Sequence, residues 1–232
     1  MNLFIFLKKV KNSFLTPRIN SLNYEKIYKK NNFFFKILNH FLWLYPSNLQ
    51  YKYWMNANNI GHGYNQFLEI DPNAELLIEK INNYAQKDDM ILDICCNIGR
   101  VLNELSNQGY RNLYGFDLNK EAIEKSKKIF TKLHFANLTS APAEEYLKDL
   151  KNNFFDVSYS LGASLELIPP QFDVIKYISR ATKKYFICLI SENGHAYPRF
   201  WKYEFKKNGF LITERKKFGS NRTLFVLQKK VF

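Results

Sequence analysis

From residue 72 onward the chain alternates helix-period stripes with short apolar runs. Residues 73–85 place Leu76, Leu77, Ile81 and Tyr84 on one helical face, with Pro72 at the start, where a missing N–H costs nothing. Residues 90–94 are apolar but for one carboxylate, Asp93, near the end of the run; flanked by polar residues and a turn, they predict a strand buried on both faces. Cys95, Cys96, Asn97 and Gly99 are small or turn-tolerant, and residues 100–106 then predict a helix with Val101, Leu102 and Leu105 on one side. Residues 110–118 predict a second buried strand, ending at Asp117. A helix at 121–130 turns Ala122, Ile123, Ser126 and Ile129 or Phe130 inward, and a weak strand follows at 133–136. Helices at 143–150, 172–182 and 198–208 alternate with strands at 155–160 and 185–190, and strands at 210–218 and 223–229 close the chain around a GSNR turn. The pattern predicts an α/β fold: a mostly parallel sheet covered on both faces and ending in a hairpin.

Residues 1–55 break this alternation. They run from NLFIFL through KKVKNSF to an aromatic block between Phe33 and Tyr45, and predict a helical extension separate from the domain at 56–232. The first apolar run is too short for a secretory signal, and the aromatic block is too short to span a bilayer. Lys26, Lys29, Lys30 and Lys36 stand beside Phe33, Phe34, Phe35, Phe41, Leu42 and Trp43. Three readings fit such a helix: it covers the edge of the core or holds a substrate, it lies on an anionic membrane surface through residues 1–45, or it touches RNA. Residues 51–71, rich in Asn, Gly and aromatics, read as an irregular linker that folds over a ligand, with His62 and Tyr64 placed to close on it.

Composition narrows the partners. A chain of 232 residues with 46% hydrophobic content can bury one core. Net charge is +13, but residues 1–55 hold nine Lys or Arg against Glu25 alone, so about eight of the excess charges lie there. The wealth of Asn, Lys, Ile, Phe and Tyr also matches the drift of an AT-rich genome, which raises the isoelectric point with no partner involved. Three cysteines, two of them adjacent, form no secreted disulfide framework and point to a reducing cytoplasm, with the membrane surface as an alternative address. The four histidines lack metal-ligand spacing, so no metal site is expected.

The candidate chemistry lies at the first strand–turn–helix junction. Such a junction aims free backbone N–H groups and a positive helix end at a ligand. Asp117 follows Asp93 by twenty-four residues, a spacing at which an acid can accept both hydroxyls of a ribose. A dinucleotide would need GxGxxG, whereas Cys95 and Asn97 put side chains where a pyrophosphate tolerates none, which disfavours NAD or FAD.

The acid followed by Cys95, Asn97 and Gly99 resembles motif I, acid then GxGxG, of the class I S-adenosylmethionine-dependent methyltransferases, with two of three glycines replaced. GFDLNKEAIEKSK resembles the second motif of that family, and FFDVSYSLGASLELIPP its fourth-strand motif. The resemblance spans about residues 51–230. It implies a three-layer Rossmann-like fold with a seven-stranded sheet in the order 3-2-1-4-5-7-6, the seventh strand antiparallel, and S-adenosylmethionine as cofactor. By the same resemblance Asp93 organises the loop and the methionine ammonium, and backbone at Cys95, Asn97, Ile98 and Gly99 cradles the methionine portion. Arg100 orders the cofactor carboxylate, Asp117 binds the ribose and Leu118 covers one adenine face. Asn137, Leu138 and Thr139 stand in for the usual adenine contact, and Ser160, Leu161 and Gly162 line the methionine side.

Methyl transfer needs an aligned, dry pocket more than a dedicated catalytic group. The candidates for one are Glu166, in LELI where relatives often read LEHI, and His195 after the fifth strand; each also reads as an ordinary loop contact. The YW and GY pairs before motif I, with YPRFWKYEFKKNGF, resemble bacterial methyltransferases of surface-polysaccharide or nonulosonic-acid pathways. The expected acceptor is a small molecule, a sugar or a lipid-linked intermediate. Two alternatives stay open: an RNA methyltransferase using the basic extension, though LGAS stands where an Asn-Pro-Pro-Tyr motif would follow strand four, and a noncatalytic peripheral membrane protein that keeps the fold.

Overall fold

The structure, a computed structural model, describes residues 51, 54, 55, 63–162, 164–191, 197, 199–219 and 222–230. The readings of residues 1–45, and those of His62 and His195, lie outside the described residues.

Helix α1, Pro72–Tyr84, begins where Asp71 accepts the backbone N–H groups of Asn73 (3.0 Å) and Ala74 (2.9 Å), satisfying two donors that the helix cannot. Its buried stripe is Ala74, Leu77, Ile78 and Ile81, so Leu76 and Tyr84 are only half-buried and the inward face is turned slightly from the expected one. Strand β1, Ile91–Ile94, follows, then α2, Arg100–Asn107; β2, Leu113–Asp117; α3, Lys120–Ile129; β3, Asn137–Ser140; α4, Ala143–Asp149; and β4, Phe155–Leu161. Helix α5, Val174–Ala181, runs directly into β5, Thr182–Ser191; α6, Trp201–Lys207, precedes the hairpin of β6, Phe210–Phe218, and β7, Arg222–Lys229.

The seven strands lie in the order β3-β2-β1-β4-β5-β7-β6. Strands β1 to β5 pair in parallel, and β7 is antiparallel to both β5 and β6. Alternate residues of β5 feed opposite faces: Phe186, Cys188 and Ile190 pack with α4, α5 and α6, while Ile187 and Leu189 pack with α1 and α2. The sheet is thus buried on both sides, as a parallel sheet must be.

Two expectations are corrected, the third strand and the boundary between α5 and β5. The third strand is not 133–136 but Asn137–Ser140; Leu133 and Ala136 are buried beneath α2, and the edge strand itself is mostly exposed, so hydrophobicity pointed at the wrong run. Helix α5 is shorter than 172–182 because Thr182 already belongs to β5, its hydroxyl bonded to Ser158 Oγ at 2.8 Å. The strand's polar start is tied down by Lys184, which meets Asp89 at 2.6 Å and Asp156 at 3.1 Å. Along α3, Ala122 and Ser126 are buried as expected, and of Ile129 and Phe130 it is Phe130 that packs on the core while Ile129 is exposed. Among the described residues no helix is long and apolar enough to cross a membrane.

Candidate active site

The loop between β1 and α2 carries three left-handed residues in alternation: Cys95 (φ 60°), Asn97 (φ 50°) and Gly99 (φ 79°). A left-handed conformation costs a side-chain-bearing residue about 1–2 kcal/mol, less for Asn. The backbone therefore keeps the turn that glycines would make without strain, and the neighbourhood must hold it. The N–H of Cys96 donates to Phe116 O (2.9 Å), that of Asn97 to Asp117 Oδ2 (2.8 Å), and that of Ile98 to Asn97 Oδ1 (2.8 Å). Ser126 Oγ closes the back of the loop on Ile98 O at 2.8 Å.

Asp117 works from the end of β2. Its second oxygen accepts the N–H of Asn119 at 2.8 Å, and burial raises its carboxyl above the ordinary value despite these donors. Asp93 faces Tyr159 across the β1–β4 pair, and the phenol donates to Asp93 Oδ2 at 2.8 Å. Burial pushes the Asp93 carboxyl up to about 8; the Tyr159 bond opposes this, the Asp117 charge adds to it, and Arg100 offsets part.

Arg100 donates to Glu69 O (2.5 Å) and to Asp71 Oδ2 (2.8 Å), with its guanidinium carbon 5.7 Å from the Phe67 ring. It fastens the segment that caps α1 onto the cofactor-type loop, so it acts as a positioning residue. Burial alone would raise the Asp71 carboxyl, but the Ala74 N–H and Arg100 hold it below the ordinary value. Arg100→Ala is expected to cost roughly 1–2 kcal/mol of stability, because it strips a charged partner from a helix cap. Urea denaturation checks this; an unchanged midpoint would mean that the pair contributes nothing.

One cavity of about 260 Å³ opens at the C-terminal ends of these strands, the end where open α/β sheets take their ligands. Of the expected residues it brings together Asp93, Cys95, Asn97, Arg100, Asp117, Leu118 and Leu161, with Gly162 beside them. Ile98 and Gly99 shape the loop from behind, Ile98 being fully buried. Ser160 points the other way, its hydroxyl on Ile94 O at 3.4 Å. Asn137, Leu138 and Thr139 stay on the edge strand, outside the lining; Ala141 and Pro142 line the cavity just beyond them. Tyr64 opens a short 3-10 turn, Tyr64–Phe67, and only Phe67 of that turn reaches the cavity.

Glu166 is not at the cavity either. In the turn Leu165–Leu167 it is buried, its side chain accepts the Ser191 N–H, and its carbonyl accepts the Tyr197 N–H at 2.8 Å. Burial pushes its carboxyl up to about 7. It braces the β4 loop against the end of β5 through one oxygen, while Oε2 is buried without a hydrogen-bond partner and away from the cavity. The carboxylate that does reach the cavity is Glu144, in the first turn of α4, where it reads as an ordinary helix-start acid; the Tyr51 hydroxyl donates to its Oε1. Trp54 and Arg222 also line the cavity, and neither neighbours a motif in sequence.

The charges decide what fits. Arg100 is neutralised by Asp71, leaving, among the described residues, two carboxyl groups and no free cation on the β1 and β2 side, so a pyrophosphate finds no partner there and a ligand with a cationic end and free hydroxyls is favoured. This sheet order, the acid-led loop after β1 and the acid ending β2 define a class I methyltransferase architecture.

The comparisons agree. Residues 91–185 match the family described as methyltransferase domain. No curated protein matches the chain by sequence. Among solved structures, a TehB-like SAM-dependent methyltransferase from Corynebacterium glutamicum is similar at 22% identity, covering 79% of this chain and 98% of that one with a TM-score of 0.56. Magnesium protoporphyrin IX methyltransferase from Synechocystis is similar at 10% identity, with 79% and 99% covered and a TM-score of 0.60. Geranyl diphosphate C-methyltransferase from Streptomyces coelicolor is similar at 10% identity, with 68% and 75% covered and a TM-score of 0.55. At these identities the structural likeness speaks for the fold.

Proposed function

We propose that the protein is an S-adenosylmethionine-dependent methyltransferase acting on a small-molecule, sugar or lipid-linked acceptor. The observation that carries this is the pair of carboxylates, the buried Asp93 and the half-buried Asp117, on either side of a loop held in a three-fold left-handed turn. When bound, the cofactor supplies an electrophilic methyl group on a sulfonium sulfur. Asp93 holds the ammonium of its amino-acid end, and Asp117 accepts from the ribose hydroxyls with the lone pairs left over from Asn97 and Asn119. Leu118 and Pro142 wall the adenine. Trp54, Phe67, Leu167 and Ile168 exclude water, which supports transfer by proximity and desolvation. Glu144 Oε2 is buried without a hydrogen bond, and it is the oxygen positioned to take a proton from the acceptor.

Cofactor binding is tested with S-adenosylhomocysteine, read by tryptophan emission. Trp54 lines the cavity and Trp201 is buried in the core, so binding should shift the emission of Trp54. Trp54→Phe should abolish the shift while calorimetry still detects binding. Absence of binding to the wild type would remove the proposed function. Transfer itself is read by incubating labelled cofactor with cell extract and identifying the labelled product.

Asp93 also sets a pH dependence. Its carboxyl stands at about 8 without ligand, and a bound ammonium favours the charged form, so binding expels the proton. Affinity for S-adenosylhomocysteine is therefore expected to rise with pH, about tenfold per unit below roughly pH 8, and to level off above it. Calorimetry in buffers of different ionisation enthalpy should detect the released proton. A flat affinity between pH 6 and pH 8 would mean that the ammonium sits elsewhere.

A further inference from the structure

Arg222 begins β7, with its α-carbon opposite Ser191 at the C-terminal end of β5. Strand β5 separates it from β4, so its backbone stands two strand spacings, roughly 9–10 Å, from the end of β4. The side chain spans that distance. A β-carbon placed on Gly162, just past β4, would lie 2.2 Å from Arg222 Nη1 and 3.0 Å from Cζ. Gly162 also has φ 43°, so glycine serves twice: it makes the turn, and it leaves room for the guanidinium against the backbone. The result is a half-buried cation inside the cavity, reaching it over the end of β5.

Among the described residues no carboxylate lies within ion-pair distance of Arg222. Glu166, whose charge it does feel, accepts the Ser191 N–H through Oε1 and makes no ion pair with the guanidinium, its Oε2 being buried without a hydrogen-bond partner. The other cavity arginine, Arg100, is satisfied by Asp71 and Glu69, so the contrast is internal to the site. A guanidinium stays charged at all working pH values and presents a planar fork that matches a carboxylate or phosphate. Half-buried without an ion-pair partner, it is stabilised when an oxyanion joins it. Its side of the cavity is also the far one from Asp117 and Leu118, across β1 and β4.

Building on the methyltransferase reading, we propose that Arg222 is a specificity-determining residue that binds an anionic group, carboxylate or phosphate, on the methyl acceptor. Gly162 is the position that admits it. The acceptor is thereby an acidic molecule, oriented with its charge over the end of β5 and its reacting atom toward β4. The cofactor's own carboxylate shares this chemistry, and the test separates the two sources.

The full chain is saturated with S-adenosylhomocysteine and titrated with inorganic phosphate against chloride of equal ionic strength, reading the melting temperature. Phosphate should stabilise the wild type with a millimolar midpoint, Arg222→Gln should weaken the midpoint at least fivefold, and Arg222→Lys, which keeps the charge without the fork, should fall between the two. S-adenosylhomocysteine affinity should change less than twofold in either variant. A phosphate response independent of residue 222, or none in the wild type, overturns the proposal. So does a tenfold loss of S-adenosylhomocysteine affinity in Arg222→Gln, which would assign the arginine to the cofactor carboxylate. Wild type that binds no S-adenosylhomocysteine overturns the methyltransferase reading instead. A product labelled by the wild type in cell extract should further be retained by an anion exchanger at neutral pH.

Discussion

Asp117→Ala is expected to weaken S-adenosylhomocysteine binding about 100-fold, or roughly 2.7 kcal/mol. Two losses combine. The variant cannot accept from the ribose hydroxyls, and hydrogen bonds to a charged acceptor contribute about 1.5–3 kcal/mol. It also releases the N–H of Asn97, which Asp117 holds at 2.8 Å while Asn97 sits at φ 50°. Without that acceptor the left-handed turn loses one of its anchors, and the loop relaxes away from the shape that cradles the ligand. Asp117→Asn keeps the size and one acceptor oxygen and should lose only about tenfold. Calorimetry gives both numbers, and circular dichroism shows whether the fold is intact. An alanine variant that binds within threefold of wild type would sink the assignment of the ribose to Asp117.

Gly115→Val should destabilise the fold by about 3 kcal/mol, and Gly115→Ala by roughly 1–2 kcal/mol. Gly115 lies within β2, where a β-carbon would stand 2.9 Å from Leu102 Cδ1 and 3.0 Å from Cys96 Sγ. Neither neighbour can retreat easily: Leu102 is fully buried in α2, and Cys96 belongs to the cofactor-type loop, with its N–H on Phe116 O. Helix α2 would have to lift from the sheet. Gly115→Ala combined with Leu102→Ala should recover part of the loss if the clash is the cause. Urea denaturation with an unchanged slope measures it; equal stability of wild type and valine variant would disprove the close approach.

Much of the site's frame is legible in the chain because its signals are local. Asp93 and Asp117 end buried apolar runs, and the turn between them is a run of small or turn-tolerant residues. The β6 strand and the following hairpin likewise stand where their patterning placed them. The failures are equally physical. Strand β3 lies at an edge and carries little apolar patterning, so the buried Leu133 and Ala136 before it drew the expectation away. Glu166 has the chemistry of a catalyst, but only packing shows that the carboxylate meets Ser191 N–H rather than the cavity.

What the sequence alone determined is the alternation of strands and helices, the strand–turn–helix junction at Asp93 and the reach of the second acid, because periodicity and turn chemistry act between near neighbours. The tertiary structure decided which side chains converge. Tyr159 reaches Asp93 across a strand pair, Arg100 closes on Asp71, and Arg222 arrives over Gly162 from two strands away. Leu161 lines the cavity while its neighbour Ser160 faces Ile94, since consecutive residues of a strand point to opposite faces and register alone selects which one meets the ligand.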